Sequence, residues 1–334
     1  DRGGGEGMSS QTLGVIGGGA WGTALAQMLA SDGSKVRLWA FEPPVVEEIN
    51  RHHRNSAYLK GIDLNAGIRA TSDLSELADL PLLLVVTPAQ HMRRVLASLP
   101  EGPGDLVLCC KGIEEASGEL MVDAARAAAP GRPLAVLSGP TFAHEVANGQ
   151  PTAVTLACET RAQWDRIAPL IWRPAFRPYF STDIIGAEIG GAVKNVLAIA
   201  CGVVEGLGLG QNARAALIAR GFAEMTRFGL ACGAQAETLS GLSGLGDLVL
   251  TCSSMSSRNF SLGKALGEGR KAGDVLADRA TVAEGAFTAP VLQRVAKARG
   301  VAMPIVDTVC ALLAGDVAAG DAVAALLARP LTAE

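Results

Sequence analysis

A lysine and an asparagine, Lys194 and Asn195, stand side by side within an apolar, small-residue stretch at residues 191–202. Burying an ammonium without a partner is costly, so a lysine in such surroundings suggests a chemical role. Desolvation also lowers the pKa of a lysine towards the range in which it exchanges protons. Lys194 is therefore a candidate general acid or base. On this segment alone, a lysine that extends its ammonium to solvent from a helix end is an equally open interpretation.

A glycine-rich turn near the start of the chain indicates a second kind of chemistry. Gly17, Gly19 and Gly22 follow a short apolar run, Thr12–Ile16, and precede a helical pattern at residues 23–30. This spacing matches the dinucleotide fingerprint, in which the glycines allow a tight turn, a close approach to the pyrophosphate and packing of helix on strand. The N-terminus of the helix offers N–H groups to the phosphates. A second strand pattern follows over Lys35–Trp39, and the whole order predicts binding of NAD or NADP.

Four further segments carry groups that could bind a small phosphorylated carbonyl compound. They combine two lysines with an aspartate, hydroxyls and an arginine, whose planar fork suits a phosphate. Read structurally, residues 244–252 could be only a glycine-kinked helix start, and Arg258 only a surface charge. The segments are Lys111-Gly112, residues 138–143, residues 244–252 and Ser257-Arg258-Asn259.

Strand and helix patterns alternate through the first half of the chain and predict the scaffold for these residues. Such alternation predicts an α/β fold with a parallel, doubly wound sheet of the Rossmann type. Ligands of open α/β sheets collect beyond the carboxyl ends of the strands, so we expect the loops at residues 87–89 and 111–112 to line a cofactor cleft. The apolar strand patterns lie at residues 82–86, 106–110, 134–138 and 152–157.

The pattern of the sequence changes at about residue 184, where alanine-rich helical patterns replace strand patterns. We predict a disordered leader at residues 1–10, a Rossmann domain at 11–183 and an all-helical substrate domain at 184–334. Pro174 and Pro178 are expected to bracket the connection between the two domains. Two domains are reasonable for a chain of 334 residues.

Composition excludes several classes of function. The net charge of -4 gives no basic surface for nucleic acid, and no apolar run is expected to reach the length of a membrane span. Seven scattered cysteines without C-x-x-C spacing predict reduced thiols, a cytoplasmic location and no disulfide framework. We expect no metal site, because His52-His53 lacks accompanying ligands and is interpreted as a solvated loop.

Four motifs together resemble the bacterial NAD(P)-dependent glycerol-3-phosphate dehydrogenases. The resemblance runs from about Thr12 to the C-terminal region, in the order and spacing of the family. It implies reduction of dihydroxyacetone phosphate to sn-glycerol 3-phosphate for phospholipid synthesis, with a helical domain like the C-terminal domain of 6-phosphogluconate dehydrogenase. A homodimer is one assembly that it allows. The motifs are the glycine turn at residues 17–26 and residues 138–143, 191–200 and 244–252.

The resemblance also implies a role for individual residues. Lys194 becomes the proton donor or acceptor at the substrate oxygen, and Asp247 is able to pair with it and orient its ammonium. The other implied substrate contacts are Lys111, Gly139, Thr141, Asn195, Thr251, Ser257, Arg258 and Asn259. The implied cofactor contacts, besides the glycines of the turn, are Ala20, Trp21, Phe41, Glu42, Lys111, Ala143, Arg258, Val282 and Glu284.

The sequence departs from the family pattern at two positions. Phe41 and Glu42 stand where the family often has a basic residue for the 2′-phosphate of NADP, so we expect NADH to be used at least as well as NADPH. Phe260 stands where another basic residue is common in the family. One positive group near the substrate phosphate is therefore missing, and the resemblance does not determine how tightly the substrate binds. Two alternatives remain: a β-hydroxyacid dehydrogenase of the 6-phosphogluconate type, and a non-catalytic NAD-binding redox sensor.

Overall fold

Eight strands form one sheet in the computed structural model, which describes residues 11–277, 283–330 and 332–333. The leader predicted at residues 1–10 lies outside the described residues. The strands are β1 (Thr12–Ile16), β2 (Lys35–Trp39), β3 (Ile68–Thr71), β4 (Leu82–Val85), β5 (Asp105–Leu108), β6 (Leu134–Ser138), β7 (Thr152–Cys158) and β8 (Phe176–Ser181). Their order in space is β3-β2-β1-β4-β5-β6-β7-β8.

Helices cover both faces of the sheet, and further helices form the region that follows it. Those interleaved with the strands are α1 (Ala20–Ala30), α2 (Pro43–His52), α3 (Met92–Ala97), α4 (Met121–Ala128), α5 (Ala143–Ala147) and α6 (Arg161–Ile171). Those after the sheet are α7 (Ile184–Gly206), α8 (Gln211–Ala231), α9 (Ala236–Leu239), α10 (Asp247–Cys252), α11 (Arg258–Gly267), α12 (Ala272–Ala277), α13 (Glu284–Ala298), α14 (Pro304–Ala314) and α15 (Ala319–Leu327). The predicted Rossmann-type sheet followed by a helical region is confirmed.

The direction of the last two strands differs from the prediction of a parallel sheet. Strands β1 to β6 are parallel, whereas β7 is antiparallel to β6, and β8 is parallel to β7. Pro178 lies inside β8, so it does not bracket the connection between the domains. A proline is tolerated there because β8 is an edge strand. The sheet ends at Ser181 and α7 begins at Ile184, while the domain boundary at 183/184 stays a prediction.

Alternate side chains of the strands fill two separate cores, one on each face of the sheet. Leu13 and Val15 of β1 pack with α1, α2 and α6, whereas the next residue, Ile16, belongs to the opposite core. That opposite core includes side chains of α3, α4 and the first turns of α7, among them Ala187. The start of α7 therefore packs directly on the sheet.

Helix α7 forms the centre of the helical region and is buried over almost its whole length. Asp183 caps it by accepting a hydrogen bond from the N–H of Gly186 at 2.9 Å. Among the described residues, α7 is long and apolar enough to cross a membrane, so the expectation that no apolar run reaches this length was wrong. Its most apolar window is 83% buried inside the protein, which is typical of a core helix.

Glycines allow the backbones of α7 and α11 to touch. A Cβ atom at Gly202 of α7 would lie 2.0 Å from the carbonyl oxygen of Phe260, and one at Gly263 of α11 would lie 1.9 Å from that of Ile199. The obstructing atoms belong to backbone, which moves less easily than a side chain. Glycine is therefore required on both helices for this close packing.

The substitution Gly263→Ala is predicted to lower the free energy of unfolding by about 2–3 kcal/mol, because the added methyl group forces the two helices apart. Urea denaturation of both proteins measures the change. The matched control is Gly320→Ala in α15, where a Cβ meets no atom within 4 Å. We expect that control to be neutral or slightly stabilising. A Gly263→Ala protein with the wild-type urea midpoint would contradict the close contact.

Candidate active site

The turn between β1 and α1 has the geometry of a phosphate-binding loop. Gly17 adopts a φ of +132°, and a Cβ there would lie 2.6 Å from the carbonyl oxygen of Val86. A Cβ at Gly22 would lie 2.0 Å from the carbonyl oxygen of Gly17. Gly19 differs, because a Cβ there meets no atom within 4 Å. Gly17 and Gly22 therefore serve packing, whereas Gly19 leaves space in front of the N–H groups that begin α1.

Three buried polar atoms near this turn and the neighbouring strand ends have no hydrogen-bond partner among the described residues. They are Trp21 Nε1, Thr87 Oγ1 and Ser138 Oγ. Thr87 follows β4 and Ser138 ends β6, so both lie at the edge of the sheet where ligands collect. Because buried polar groups are nearly always satisfied, these atoms fit a cleft whose polar partner is a bound molecule. Together with the open space at Gly19, they fit a dinucleotide.

The loop after β2 presents the two residues at which the sequence departs from the family pattern. The Phe41 side chain is 78% exposed, and Glu42 immediately precedes α2. The Glu42 carboxylate accepts a hydrogen bond from the hydroxyl of Tyr58, and this bond raises the pKa of Tyr58. Sequence reasoning missed Tyr58, because no motif marks it and its partner lies 16 residues away.

Two lysines share one buried carboxylate at the centre of the site. Lys194 Nζ donates to Asp247 Oδ1 at 2.6 Å, and Lys111 Nζ donates to Asp247 Oδ2 at 2.8 Å. The hydroxyl of Thr251 lies 3.4 Å from Asp247 Oδ1, and Lys111 also donates to the carbonyl oxygen of Gly139 at 3.3 Å. Lys194 lies on α7, Asp247 and Thr251 on α10, and Lys111 after β5, so the cluster joins the sheet to the helical region.

Burial and charge set the protonation of this cluster. Burial lowers the pKa of Lys194 to about 8; the Asp247 carboxylate opposes this decrease and the Lys111 ammonium adds to it. Burial alone would raise the pKa of Asp247, but the two ammonium groups outweigh it and lower that pKa below its usual value. Near neutral pH the Asp247 carboxylate therefore faces two ammonium groups. Because its pKa is lowered, Lys194 can release and regain a proton at a modest cost in free energy.

The stem of Lys111 runs along α7 at a glycine. A Cβ at Gly191 would lie 3.0 Å from Lys111 Cγ, so any larger residue there would press on the lysine. The neighbouring residue Gly190 packs on backbone instead, since its Cβ would lie 2.0 Å from the carbonyl oxygen of Ser243. These two glycines thus give α7 room for a strand-end lysine on one side and for residues 242–246 on the other.

The N-terminus of α11 carries the three residues expected to hold a phosphate. Ser257 caps the helix by accepting a hydrogen bond from the N–H of Phe260 at 3.2 Å, and Arg258 is exposed at its first position. Asn259 is buried, and its Oδ1 accepts the N–H of Gly285 at 2.8 Å. Asn259 therefore also fixes the start of α13, where Glu284 lies.

Glu284 stands where the two halves of the molecule meet. Burial raises its pKa, while the positive charges of Arg258, Lys194 and Lys111 oppose the increase. The backbone N–H of Ala89, in the loop after β4, also opposes the increase in this pKa, so it lies close to the Glu284 carboxylate. The 87–89 loop and the start of α13 therefore face each other across the cleft, as expected if both contact a cofactor.

Several of the remaining predicted site residues lie at the ends of strands or at the first positions of helices. Ala20 begins α1 and Ala143 begins α5, while Thr141 donates to the Gly139 carbonyl at 3.2 Å. Asn195 is buried beside Lys194 on α7. Val282 lies outside the described residues. Within the described ranges, no group of three His, Cys, Asp or Glu residues could hold a metal ion, and the expectation of a metal-free protein stays a prediction.

A Rossmann-type sheet with a glycine turn, followed by a helical region that supplies a buried lysine, defines a nicotinamide-dependent dehydrogenase. Two family models match this chain. The model of the NAD-dependent glycerol-3-phosphate dehydrogenase N-terminus matches residues 12–164, and that of the C-terminus matches residues 183–324. The chain belongs to this family and is an oxidoreductase that acts on a CH–OH group.

Similar proteins cover almost the whole chain. A glycerol-3-phosphate dehydrogenase [NAD(P)+] of Erythrobacter litoralis is 70% identical over 322 residues, which cover 96% of this chain and 97% of that protein. One of Novosphingobium aromaticivorans is 67% identical and covers 96% of this chain and 98% of that protein. The crystal structure of glycerol-3-phosphate dehydrogenase from Coxiella burnetii matches with a TM-score of 0.91 at 36% identity, covering 96% of this chain and 99% of that one.

A substitution at Gly19 can test nucleotide binding separately from the stability of the fold, because the space in front of this residue is open. Gly19→Ala is predicted to raise the Kd for NADH at least about tenfold, because the methyl group would stand where backbone approaches the pyrophosphate. The free energy of unfolding of the unliganded protein should not change, since the methyl group meets no protein atom within 4 Å. Fluorescence titration with NADH and urea denaturation measure the two effects. An unchanged Kd would mean that Gly19 does not face the cofactor.

Proposed function

We propose that this protein is a glycerol-3-phosphate dehydrogenase that reduces dihydroxyacetone phosphate to sn-glycerol 3-phosphate, for the synthesis of glycerophospholipids, with NADH or NADPH as cofactor. The observation that carries this proposal is the cluster of Lys194, Asp247 and Lys111 at the edge of the dinucleotide-binding sheet. The names of relatives at 67–70% identity support the substrate.

The proposed substrate is an anion, and the charges around the cluster suit it. Two lysines and one aspartate leave one positive charge in excess. Arg258 lies at the N-terminus of α11, where helix N–H groups also favour a phosphate. In this proposal, Ser257, Arg258 and Asn259 bind the phosphate with Lys111. Gly139, Thr141, Asn195 and Thr251 line the rest of the substrate pocket.

The proposed cofactor spans the edge of the sheet. Gly17 and Gly22 shape the turn, and Gly19 receives the pyrophosphate with Ala20 and Trp21. Phe41 and Glu42 lie beside the adenosine end. Lys111, Ala143, Arg258 and Glu284 contact the nicotinamide half, and Val282 is proposed there on the family resemblance alone. When bound, the reduced nicotinamide supplies the hydride for the carbonyl carbon of the substrate.

Lys194 is the proposed proton donor at the carbonyl oxygen of the substrate. Its hydrogen bond to Asp247 at 2.6 Å orients the ammonium and keeps it charged in spite of burial. Once the proton has been transferred, a pKa of about 8 allows the neutral lysine to regain a proton near neutral pH. In the reverse direction, the neutral amine accepts the proton of the substrate hydroxyl.

We propose a cytoplasmic location, because all seven cysteines are free thiols. Nucleic acid is not an expected partner of a chain with a net charge of -4. A homodimer stays a prediction.

Assays of NADH and NADPH oxidation test the proposed activity. Dihydroxyacetone phosphate should be reduced, and unphosphorylated dihydroxyacetone should be a poor substrate because it leaves the phosphate contacts unused. The Lys194→Met variant, which keeps the volume of the side chain, should lose at least about 100-fold in kcat yet still bind NADH. A near-normal kcat in this variant would show that Lys194 is not the proton donor and would make Lys111 the candidate for that role. Oxidation of hydroxy acids without turnover of dihydroxyacetone phosphate would instead favour the β-hydroxyacid dehydrogenase.

The lowered pKa of Lys194 predicts opposite pH profiles for the two directions. Reduction needs the ammonium, so kcat/KM for dihydroxyacetone phosphate should fall as the pH rises through about 8. Oxidation needs the neutral amine, so kcat/KM for glycerol 3-phosphate should rise over the same range. Profiles from pH 7 to 10 in both directions measure this. Two profiles with the same slope would contradict the assignment.

A further inference from the structure

A loop of residues 53–59 (hereafter the 53–59 loop) crosses behind the glycine turn and is fastened to it by a buried asparagine. Asn55 has no exposed surface, and its Nδ2 donates to the carbonyl oxygen of Gly18 and to Thr23 Oγ1, both at 2.9 Å. Its own carbonyl accepts the N–H of Leu59 at 2.8 Å. The position of this loop is therefore tied to the position of the phosphate-binding turn.

The same loop carries Tyr58 to the end of β2. Asn55 Oδ1 accepts the N–H of Tyr58 at 3.3 Å, and the hydroxyl of Tyr58 donates to Glu42 Oε1. Asn55 thus contacts both the glycine turn and the residue that holds Glu42. The chain of hydrogen bonds runs from Gly18 through Asn55 and Tyr58 to the Glu42 carboxylate.

Local sequence explains why the Glu42 carboxylate is not used to cap α2. Glu42 occupies the cap position, but Pro43 and Pro44 have no N–H to offer, and the N–H of Val45 already donates to the main-chain carbonyl of Glu42 at 3.1 Å. Accordingly, the Glu42 side chain makes no capping hydrogen bond. Its carboxylate is held from outside the helix by Tyr58 and keeps lone pairs for another donor.

The arginines of β2, α2 and the 53–59 loop are engaged with other acids. Arg37 pairs with Glu76 at 3.0 Å, Arg51 with Glu47 at 2.8 Å, and Arg54 with Asp63 at 2.9 Å. None of these three ion pairs involves Glu42. The end of β2 therefore presents a carboxylate where a 2′-phosphate would need a cation.

We propose that Tyr58 is a positioning residue that fixes Glu42 to accept hydrogen bonds from the hydroxyls of the adenosine ribose, and so makes the protein discriminate against the 2′-phosphorylated cofactor. The inference rests on the proposed dinucleotide site. An unrestrained glutamate can rotate away from a phosphate at little cost, whereas one held by Tyr58 must first break that hydrogen bond, and while it stays in place its charge repels the phosphate. Asn55 keeps the carboxylate in register with the turn that holds the pyrophosphate.

The test compares Kd values for NADH and NADPH in the wild type, Tyr58→Phe, Glu42→Gln and the double variant, by fluorescence titration. We expect wild-type protein to bind NADH more tightly. Tyr58→Phe should reduce the NADH preference about five- to tenfold, the effect of one solvent-exposed hydrogen bond of ordinary strength. The kinetic change should lie in the cofactor KM more than in kcat. In the Glu42→Gln background, Tyr58→Phe should change the preference much less, because the charge it positions is gone.

The control is Ser56→Ala in the same loop, which removes a hydrogen bond to Glu48 and should leave both Kd values unchanged. Equal weakening of NADH and NADPH by Tyr58→Phe would overturn the inference, since a merely structural role acts on both. A wild-type preference for NADPH would also overturn it. A wild-type protein that binds neither nucleotide would refute the proposed function itself.

Discussion

The Asp247 carboxylate holds together two ammonium groups that would otherwise repel each other. The Asp247 carboxylate contacts both ammonium groups, and its negative charge opposes the loss of the proton that burial would otherwise cause at Lys194. The three side chains come from three different elements, so the same contacts also fix the helical region against the sheet. The requirement to balance buried charge therefore sets both the protonation of Lys194 and the relative position of the cofactor and substrate halves of the site.

Backbone packing keeps Lys194 in place. Gly202 on α7 and Gly263 on α11 bring the two helices together, and Gly190 brings residues 242–246 against α7 just before α10 begins. Asp247 is the first residue of α10, so its distance from Lys194 depends on this contact. The many glycines of α7 lower its intrinsic helix propensity. Burial on nearly every side compensates for that loss.

Local signals in the sequence predicted much of the fold. The turn at residues 17–22 and the strand before it are encoded within one short stretch, and Lys194 stands out because it is charged among apolar residues. Strand β8 was missed because it contains Pro178 and is stabilised by pairing with β7 alone. Tyr58 was missed because its function depends on a contact with Glu42 that only the folded chain creates. Likewise, the bond between Lys111 and Asp247 joins residues 136 positions apart.

The reversed strand β7 has a geometric consequence for the chemistry. Because β7 and β8 run opposite to β6, the chain leaves the sheet near the amino ends of β1 to β6. Helix α7 then runs along the sheet towards the carboxyl ends of these strands. The ten residue-to-residue steps from Ile184 to Lys194 rise about 15 Å, close to the length of a five-residue strand. One inserted residue in this stretch would turn the lysine about 100° around the helix axis. The first half of α7 thus fixes both the height of Lys194 along the sheet and its direction around the helix axis, and an insertion would change both.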